Sequence, residues 1–419
     1  MSLLIRGLRI IPLCIWTGVW WTNVVPASNA GTAPAIAPEL SYLTRAAAGV
    51  GKLQTWYIWS TGRWQTTNWW GAANSTTVLV NYSKLTGSSD HQPAIENTFY
   101  VNAPNGFVTT IHYDDEGWWA LAWIDAYDWT GNPDYLTMAS SIFDDMTNGW
   151  DEVRCGGGVW WSKAGSYKNA VTNELFLSLA AHLANRVSDP DRWAGYVAWA
   201  NLEWQWFSHS GMINSDNLIN DGLTTSCENN QQTTWTYNQG VILGGLAELY
   251  QQNPDASLAQ AAQNIALAAI NQLTDVNGIL HEPCEPGCNG DRVQFKGIFV
   301  RNLMALNDAF PDARYVQFVR ANADSIWNQD QGPDYEFGLV WSGPFSPDSN
   351  AAASQTSALD ALIAAAEMST GTPIRRANKH SFVLPLLDIG DGAETFWIRP
   401  ECGRPFRDVC PVDSEIRWQ

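Results

Sequence analysis

Apolar residues recur at helical spacing through most of the chain. Between 167 and 187, Val171, Leu175, Leu179 and Leu183 fall every fourth residue, the period that turns one helix face to a core. The segments 193–207, 239–250, 258–273 and 295–310 read the same way, and 355–368 is a further, alanine-rich helix. Clusters of Gly, Pro, Asn and Asp punctuate them, as in Thr130-Gly131-Asn132-Pro133-Asp134 and Ser188-Asp189-Pro190-Asp191. No long alternating stretch stands out, and only a short extended piece is expected near 278–281. The pattern from about Leu40 to Met368 therefore predicts helix, turn and helix in succession, at roughly 50–60 residues per pair. The pairs are too dissimilar for an obvious solenoid. A closed double ring of helices, the all-α (α/α)6 barrel, suits a single domain over 31–370 with one deep site.

The two ends of the chain break this pattern. Arg6 and Arg9 precede the apolar run 10–21, and the small residues Ala27, Ser28 and Ala30 follow, which predicts a secretory signal peptide over 1–30. The run is short for a membrane span and contains Pro12, and no later run of sufficient length exists, so membrane attachment would need an anchor signal of another kind. Loss of Cys14 with the signal leaves Cys155, Cys227, Cys284, Cys288, Cys402 and Cys410. An even number in an oxidising compartment predicts disulfides. The short spacings suggest Cys284–Cys288 and Cys402–Cys410, leaving Cys155–Cys227 by elimination. Asn74-Ser75-Thr76 and Asn81-Tyr82-Ser83 match the glycosylation acceptor pattern of a secreted chain. After Gly371 come Arg375, Arg376, Lys379 and His380, and then residues without trustworthy periodicity. The segment 371–419 is read as an irregular extension, dispensable for the active site.

Composition narrows the ligand. The formal net charge of -19 excludes a basic surface for phosphate backbones, so no nucleic-acid partner is expected. Only 16% of residues are charged, and 24 are tryptophan. Uncharged polar groups together with partly exposed indoles suit a neutral polar ligand such as a carbohydrate, although a tryptophan-rich core would have the same composition. No metal site and no cofactor are expected. Gly156-Gly157-Gly158 permits close backbone approach but lacks the Lys-Ser/Thr of a phosphate-binding loop.

The densest chemistry lies at 111–123, where Asp114, Asp115 and Glu116 stand directly before Trp118 and Trp119. Carboxyls this close raise one another's pKa values, and aromatic walls add desolvation, so one acid can stay protonated while another is ionised. Glycoside hydrolysis needs that division. An acidic first turn complementing a helix dipole would look the same.

Five blocks in order carry a resemblance. They are Tyr113-Asp114-Asp115-Glu116-Gly117-Trp118-Trp119 with Ala126-Tyr127-Asp128, Cys155-Gly156-Gly157-Gly158-Val159-Trp160-Trp161, Tyr167-Lys168-Asn169-Ala170-Val171-Thr172-Asn173-Glu174, Trp235-Thr236-Tyr237-Asn238-Gln239-Gly240 and Phe295-Lys296-Gly297-Ile298-Phe299. With them the chain resembles family 76 of the glycoside hydrolases, the endo-α-1,6-mannanases and their fungal cell-wall relatives. The resemblance implies an (α/α)6 barrel and a secreted or cell-wall retaining endo-α-1,6-mannosidase whose partner is α-1,6-linked mannan. It implies Asp114 as nucleophile and Asp115 as general acid/base, with Glu116 read as a supporting residue. The remaining candidates for substrate binding are Tyr113, Trp118, Trp119, Trp160, Trp161, Asn173, Tyr237, Asn238, Gln239 and Lys296. Adjacent tryptophans on a regular helix cannot both face one pocket, so one of each pair belongs to the core. Tyr237, Asn238 and Gln239 also suit the cap of a helix beginning near Gln239, and Lys296 suits either a site carboxylate or the surface.

Two further readings stay open on the same fold: a cell-wall transglycosylase moving GPI-linked mannosides to another sugar, and a non-catalytic mannan-binding protein. Adjacent acids count against the latter, since binding alone does not need them. Asp114-Asp115-Glu116 is also similar to the metal-binding motif of helical terpene cyclases, against which the signal peptide and the five blocks both argue.

Overall fold

The computed structural model describes residues 41–370. The signal peptide, the Cys402–Cys410 pair and the extension after 370 lie outside the described residues.

Among the described residues twelve α-helices follow one another: α1 (Tyr42–Gln54), α2 (Trp69–Thr86), α3 (Gln92–Asn102), α4 (Tyr113–Thr130), α5 (Pro133–Met146), α6 (Ala170–Ala184), α7 (Pro190–His209), α8 (Thr236–Gln252), α9 (Ala256–Gln272), α10 (Phe295–Ala309), α11 (Ala313–Gln329) and α12 (Ala351–Thr370). A hairpin of two short strands, β1 (Tyr57–Ile58) and β2 (Arg63–Trp64), lies between α1 and α2. The extended piece expected near 278–281 is a single bridge between Thr274 and Leu280.

Local chemistry sets the helix ends. Gly131 closes α4 at a φ of 72°, and one residue later Asn132 opens α5 by accepting the Asp134 N–H at 3.1 Å, with Pro133 at the first helical position. Asp189 and Pro190 open α7 in the same manner. Both clusters therefore act as turns between helices, as the punctuation predicts.

The even-numbered helices pack side by side in a closed ring, with α2 against α4, α4 against α6, α6 against α8, α8 against α10, α10 against α12, and α12 back against α2. The odd-numbered helices lie outside them, which is the (α/α)6 arrangement. Burial follows position. Fourteen of the 15 residues of inner α6 are buried, whereas outer α7 buries only Tyr196, Ala200, Glu203 and Phe207, one stripe at helical spacing. Inner helices need small residues where they touch. A Cβ on Gly240 of α8 would stand 2.5 Å from the Phe299 Cα of α10.

This packing corrects one expectation. Asn74 falls on inner helix α2, where it is buried, donates to Trp70 O at 3.2 Å and accepts from Arg301. A glycan needs an exposed asparagine, so Asn74 is no acceptor in the folded chain. Asn81, two turns further along α2, is half-buried and lines a cavity inside the ring of inner helices.

Candidate active site

Each inner helix starts at the same end of the barrel, and the loops leading into those helices gather there. They enclose a cleft of about 690 Å³, open to solvent at its mouth. Helix α2 brings Trp69 and Trp70, α4 brings Asp114, Asp115 and Trp118, α8 brings Tyr237, and α10 brings Phe295. The preceding loops add His112, Trp161, Tyr167, Asn169, Asp221, Trp235 and the turn at Asp291.

The floor is aromatic. Tyr237 stacks on Phe295 with ring centroids 3.7 Å apart, and Trp118 lies between Tyr237 at 6.4 Å and Trp70 at 5.5 Å. Above it stand the paired acids in the first turn of α4. Asp114 Oδ1 accepts the Asp115 N–H at 3.0 Å, and Asp114 Oδ2 accepts the Trp161 indole N–H at 3.0 Å. These donors favour the carboxylate, but burial outweighs them. Desolvation first and the Asp115 charge second push Asp114 up to about 8. Burial also raises Asp115, helped by Asp291 and opposed by His112, whose Nδ1 is 3.8 Å from Asp115 Oδ2. The free site is thus built to hold a proton on the pair near neutral pH.

Two further acids face the pair. Asp221 accepts the Tyr167 hydroxyl at 2.7 Å, and Tyr167 in turn accepts the Asn230 side-chain amide at 2.7 Å. Asp291 accepts the Trp70 indole N–H at 2.8 Å and the Asn68 amide at 2.5 Å. Neither stood out in the sequence. Each is an acid beside a glycine in a loop feeding an inner helix, and that position is the only signal which could have found them.

Glu116, the third acid of the run, turns away. It is fully buried, accepts the Thr109 N–H and the Lys163 ammonium, each at 3.0 Å, and braces the loop entering α4. Burial and the nearby Asp145 carboxyl push it up to about 9, against the opposing pull of the Lys163 ammonium.

Of the predicted substrate-binding residues, Trp118, Trp161 and Tyr237 line the cleft together with the two aspartates. The others do not. Trp119 points the opposite way from Trp118 and is sealed among Trp69, Phe107 and Trp123. Trp160 lines a separate hollow that shares only Tyr167 with the cleft. Tyr113 is buried under Lys163, whose ammonium lies 4.8 Å from its ring centre. Asn173 and Gln239 spend their amides on backbone: Asn173 accepts Val159 N–H at 2.6 Å and donates to Val159 O, and Gln239 accepts Ile219 N–H at 2.8 Å and donates to Ile219 O. Both act as clamps on loops that carry cleft residues. Helix α8 starts at Thr236, so Asn238 and Gln239 lie inside its first turn, and Asn238 is buried away from the cleft. Lys296 takes neither of the places expected for it: it is buried, donating to Leu339 O at 2.7 Å and pairing with Glu285 at 2.6 Å outside the cleft.

Two disulfides brace the walls. Cys155–Cys227, with Cα atoms 5.2 Å apart, ties the loop bearing Trp161 and Tyr167 to the loop bearing Asp221. Cys284–Cys288 immediately precedes the turn bearing Asp291. The glycine run beside Cys155 passes flush against Trp206, where a Cβ on Gly158 would lie 2.3 Å from the indole. Lys168 draws that loop in by donating to the carbonyls of Asp151, Arg154 and Gly157.

A closed ring of helix pairs with a carboxylate-bearing, aromatic-floored cleft at the starts of its inner helices is the architecture of a helical-barrel glycosidase. The family model "Glycosyl hydrolase family 76" matches residues 42–377, and the chain belongs to that family. Among curated relatives, a Schizosaccharomyces pombe protein is 30% identical over 271 residues, 59% of this chain and 60% of that protein. The mannan endo-1,6-alpha-mannosidase DCW1 of Saccharomyces cerevisiae is 26% identical over 357 residues, 78% of this chain and 76% of that protein. The chain thus spans about 60% of the length of the first of these relatives. Among solved structures, an inactive variant of the alpha-1,6-mannanase of Salegentibacter sp. HEL1_6 with alpha-1,6-mannotriose superimposes at a TM-score of 0.69 and 21% identity, covering 78% of this chain and 99% of that one. Dfg5 from Chaetomium thermophilum with glucosamine superimposes at 0.70 and 21%, covering 78% and 90%. These likenesses show the fold.

Proposed function

We propose that this chain is a secreted, retaining endo-α-1,6-mannosidase acting on α-1,6-linked mannan of cell-wall or glycoprotein glycans. The observation that carries the reading is the Asp114–Asp115 pair above an aromatic floor, with burial and mutual repulsion keeping one proton on two carboxyls. The names of the curated relatives and the ligand in the mannanase complex supply the linkage. Asp114, fixed by the Trp161 indole, attacks the anomeric carbon as the glycosidic C–O bond breaks, and Asp115 gives its proton to the leaving oxygen. Water then attacks the mannosyl–Asp114 ester, its proton goes to Asp115, and Asp114 leaves as carboxylate. Substrate must draw the proton from Asp114 to Asp115, and the Trp161 N–H favours that move by stabilising an ionised Asp114. Asp221 and Asp291, which line the cleft, accept sugar hydroxyls, and the stacked rings take the apolar sugar faces.

The two disulfides at the cleft walls support the secreted or cell-wall location. Two further cleft indoles, Trp69 and Trp235, also favour a second reading in which an acceptor sugar replaces water and the enzyme transfers mannosides. Purified protein incubated with α-1,6-mannan, with products followed by NMR, tests both. New reducing ends of retained α configuration are expected, and chains longer than the substrate on adding manno-oligosaccharide would mark transfer. Binding without cleavage, with or without an acceptor, would refute both.

A further inference from the structure

The residue two positions before the acidic run has no role in that mechanism. His112 occupies the N-cap position of α4, yet its side chain caps nothing. Its backbone is fixed by other means. It bridges Ser162 in antiparallel fashion, its carbonyl accepts the Thr109 hydroxyl at 2.6 Å, and the following Tyr113 N–H donates to Trp161 O at 3.0 Å. Held there, the imidazole lies flat on the Trp161 indole, with ring centroids 4.2 Å apart and planes 10° from parallel. The same indole donates its N–H to Asp114 Oδ2, while the imidazole edge brings Nδ1 to 3.8 Å from Asp115 Oδ2. One aromatic plate therefore reaches both carboxyls, one through each ring.

We propose that His112 is a positioning residue for the acid/base, its ring clamped on Trp161 and its Nδ1 edge turned to the Asp115 carboxyl. The proposal rests on the assignment of Asp114 and Asp115 made above. Histidine is the side chain that ordinarily changes charge between pH 5 and 8. As imidazolium it favours the ionised form of Asp115 and opposes the burial that raises this acid. The other titratable groups facing Asp115 are Asp114 on its own helix, Asp291 and Arg292 on the turn before α10, and Asp221, Tyr167 and Tyr237 across the cleft. Asp291 acts in the opposite sense to His112. No bond forms or breaks at His112, because the proton given to the leaving oxygen is Asp115's own and is replaced from water. His112 instead sets the pH range over which the pair holds the single proton that catalysis needs.

The test is the pH profile of kcat/KM on an α-1,6-linked manno-oligosaccharide for the parent protein, His112→Phe and His112→Gln. Phenylalanine keeps the stack on Trp161 and removes the nitrogens, and glutamine removes the stack and the charge. Without the imidazolium the carboxyl pair ionises less readily, so both profiles are expected to move to higher pH. Two profiles that keep the parent's position, at whatever plateau, would overturn the proposal. A shift in His112→Gln alone would assign the effect to stacking and overturn it too. Asp114→Asn measured alongside separates the two claims. Normal turnover in that variant sinks the assignment of the pair, whereas a dead Asp114→Asn beside unshifted His112 variants refutes only the role of His112.

Discussion

The two ends of the barrel treat their carboxylates in opposite ways. At the cleft end Asp114, Asp115, Asp221 and Asp291 meet indole, phenol and amide donors, one histidine and each other, and among the described residues no lysine or arginine forms an ion pair with them. At the far end a second, much smaller cavity is walled by all six inner helices and divided from the cleft by Trp118, which lines both. There Asp125 pairs with Lys84 and Asp360 with Arg301, each at 3.0 Å. Nearby, Arg186 is buried between Asp128 at 2.7 Å and Glu248 at 3.1 Å. A buried carboxylate with a cation at contact distance serves the fold. Asp114, which meets only neutral donors and is pushed up to about 8 by burial and the Asp115 charge, keeps a movable proton, and that is the chemically usable arrangement.

The strongest way to break the contrast is at Asp114. With Asp114 as the nucleophile proposed above, Asp114→Asn is expected to lower kcat on mannan by roughly 10⁴-fold or more. Asp115→Asn should be as damaging on mannan but milder on an activated aryl mannoside, with azide rescuing the second step. Steady-state kinetics on both substrates checks this, and near-normal mannan cleavage by both variants would end the assignment.

At the opposite end, Arg186→Met should leave Asp128 and Glu248 buried against an uncharged chain and cost about 3–5 kcal/mol of stability. Denaturant unfolding, or loss of soluble protein, reads it. A midpoint like the parent's would mean that the far end does not depend on its ion pairs.

The loop clamps give a smaller effect with a distinct signature. Asn173→Ala or Gln239→Ala leaves a backbone amide and carbonyl unpaired beneath a cleft wall, at about 1–3 kcal/mol. Lower stability together with lower kcat is expected. A rise in KM with stability intact would mean instead that these amides touch sugar.

The remaining expected change is a gain. Asp114 has a folded-state value near 8, above that of an unfolded aspartate, so it binds its proton more tightly when folded. The stability this confers is fully present at low pH and is lost as pH rises through the window from about 4 to about 8. Asp114→Asn removes the loss, so the Tm difference between variant and parent should grow in the variant's favour across that window. Thermal unfolding at several pH values would show a flat difference if burial of Asp114 carries no cost.

Helix periodicity and end signals placed the helices, because apolar spacing and caps are local. Thus Pro190 and Asp189 start α7 where the turn cluster predicts, and the acid pair lies at a helix start beside indoles. The two described disulfides also follow the expected pairing. The side chain a residue turns to the cleft was legible only as an alternative: one tryptophan of each adjacent pair had to be core, without any sign of which. Polar residues inside the motif blocks misled for a related reason. Asn173, Gln239 and Lys296 look like sugar ligands in sequence, and the fold uses each on a backbone carbonyl or amide, or on an ion pair, that only long-range packing brings near.

From its sequence alone, then, this protein is a helical barrel of family 76 with a carboxylate pair at the head of one helix. Those properties depend on residues within a few turns of each other, and on motif blocks whose order survives without coordinates. Tertiary structure alone decided that Asp221 and Asp291, 107 or more residues from Asp114, share one cleft with it, and that Glu116 turns into the core while Asp114 and Asp115 do not. The ring closes only when α12 meets α2, so which loops share a cleft and which charges find partners is a property of the closed barrel and of no segment within it.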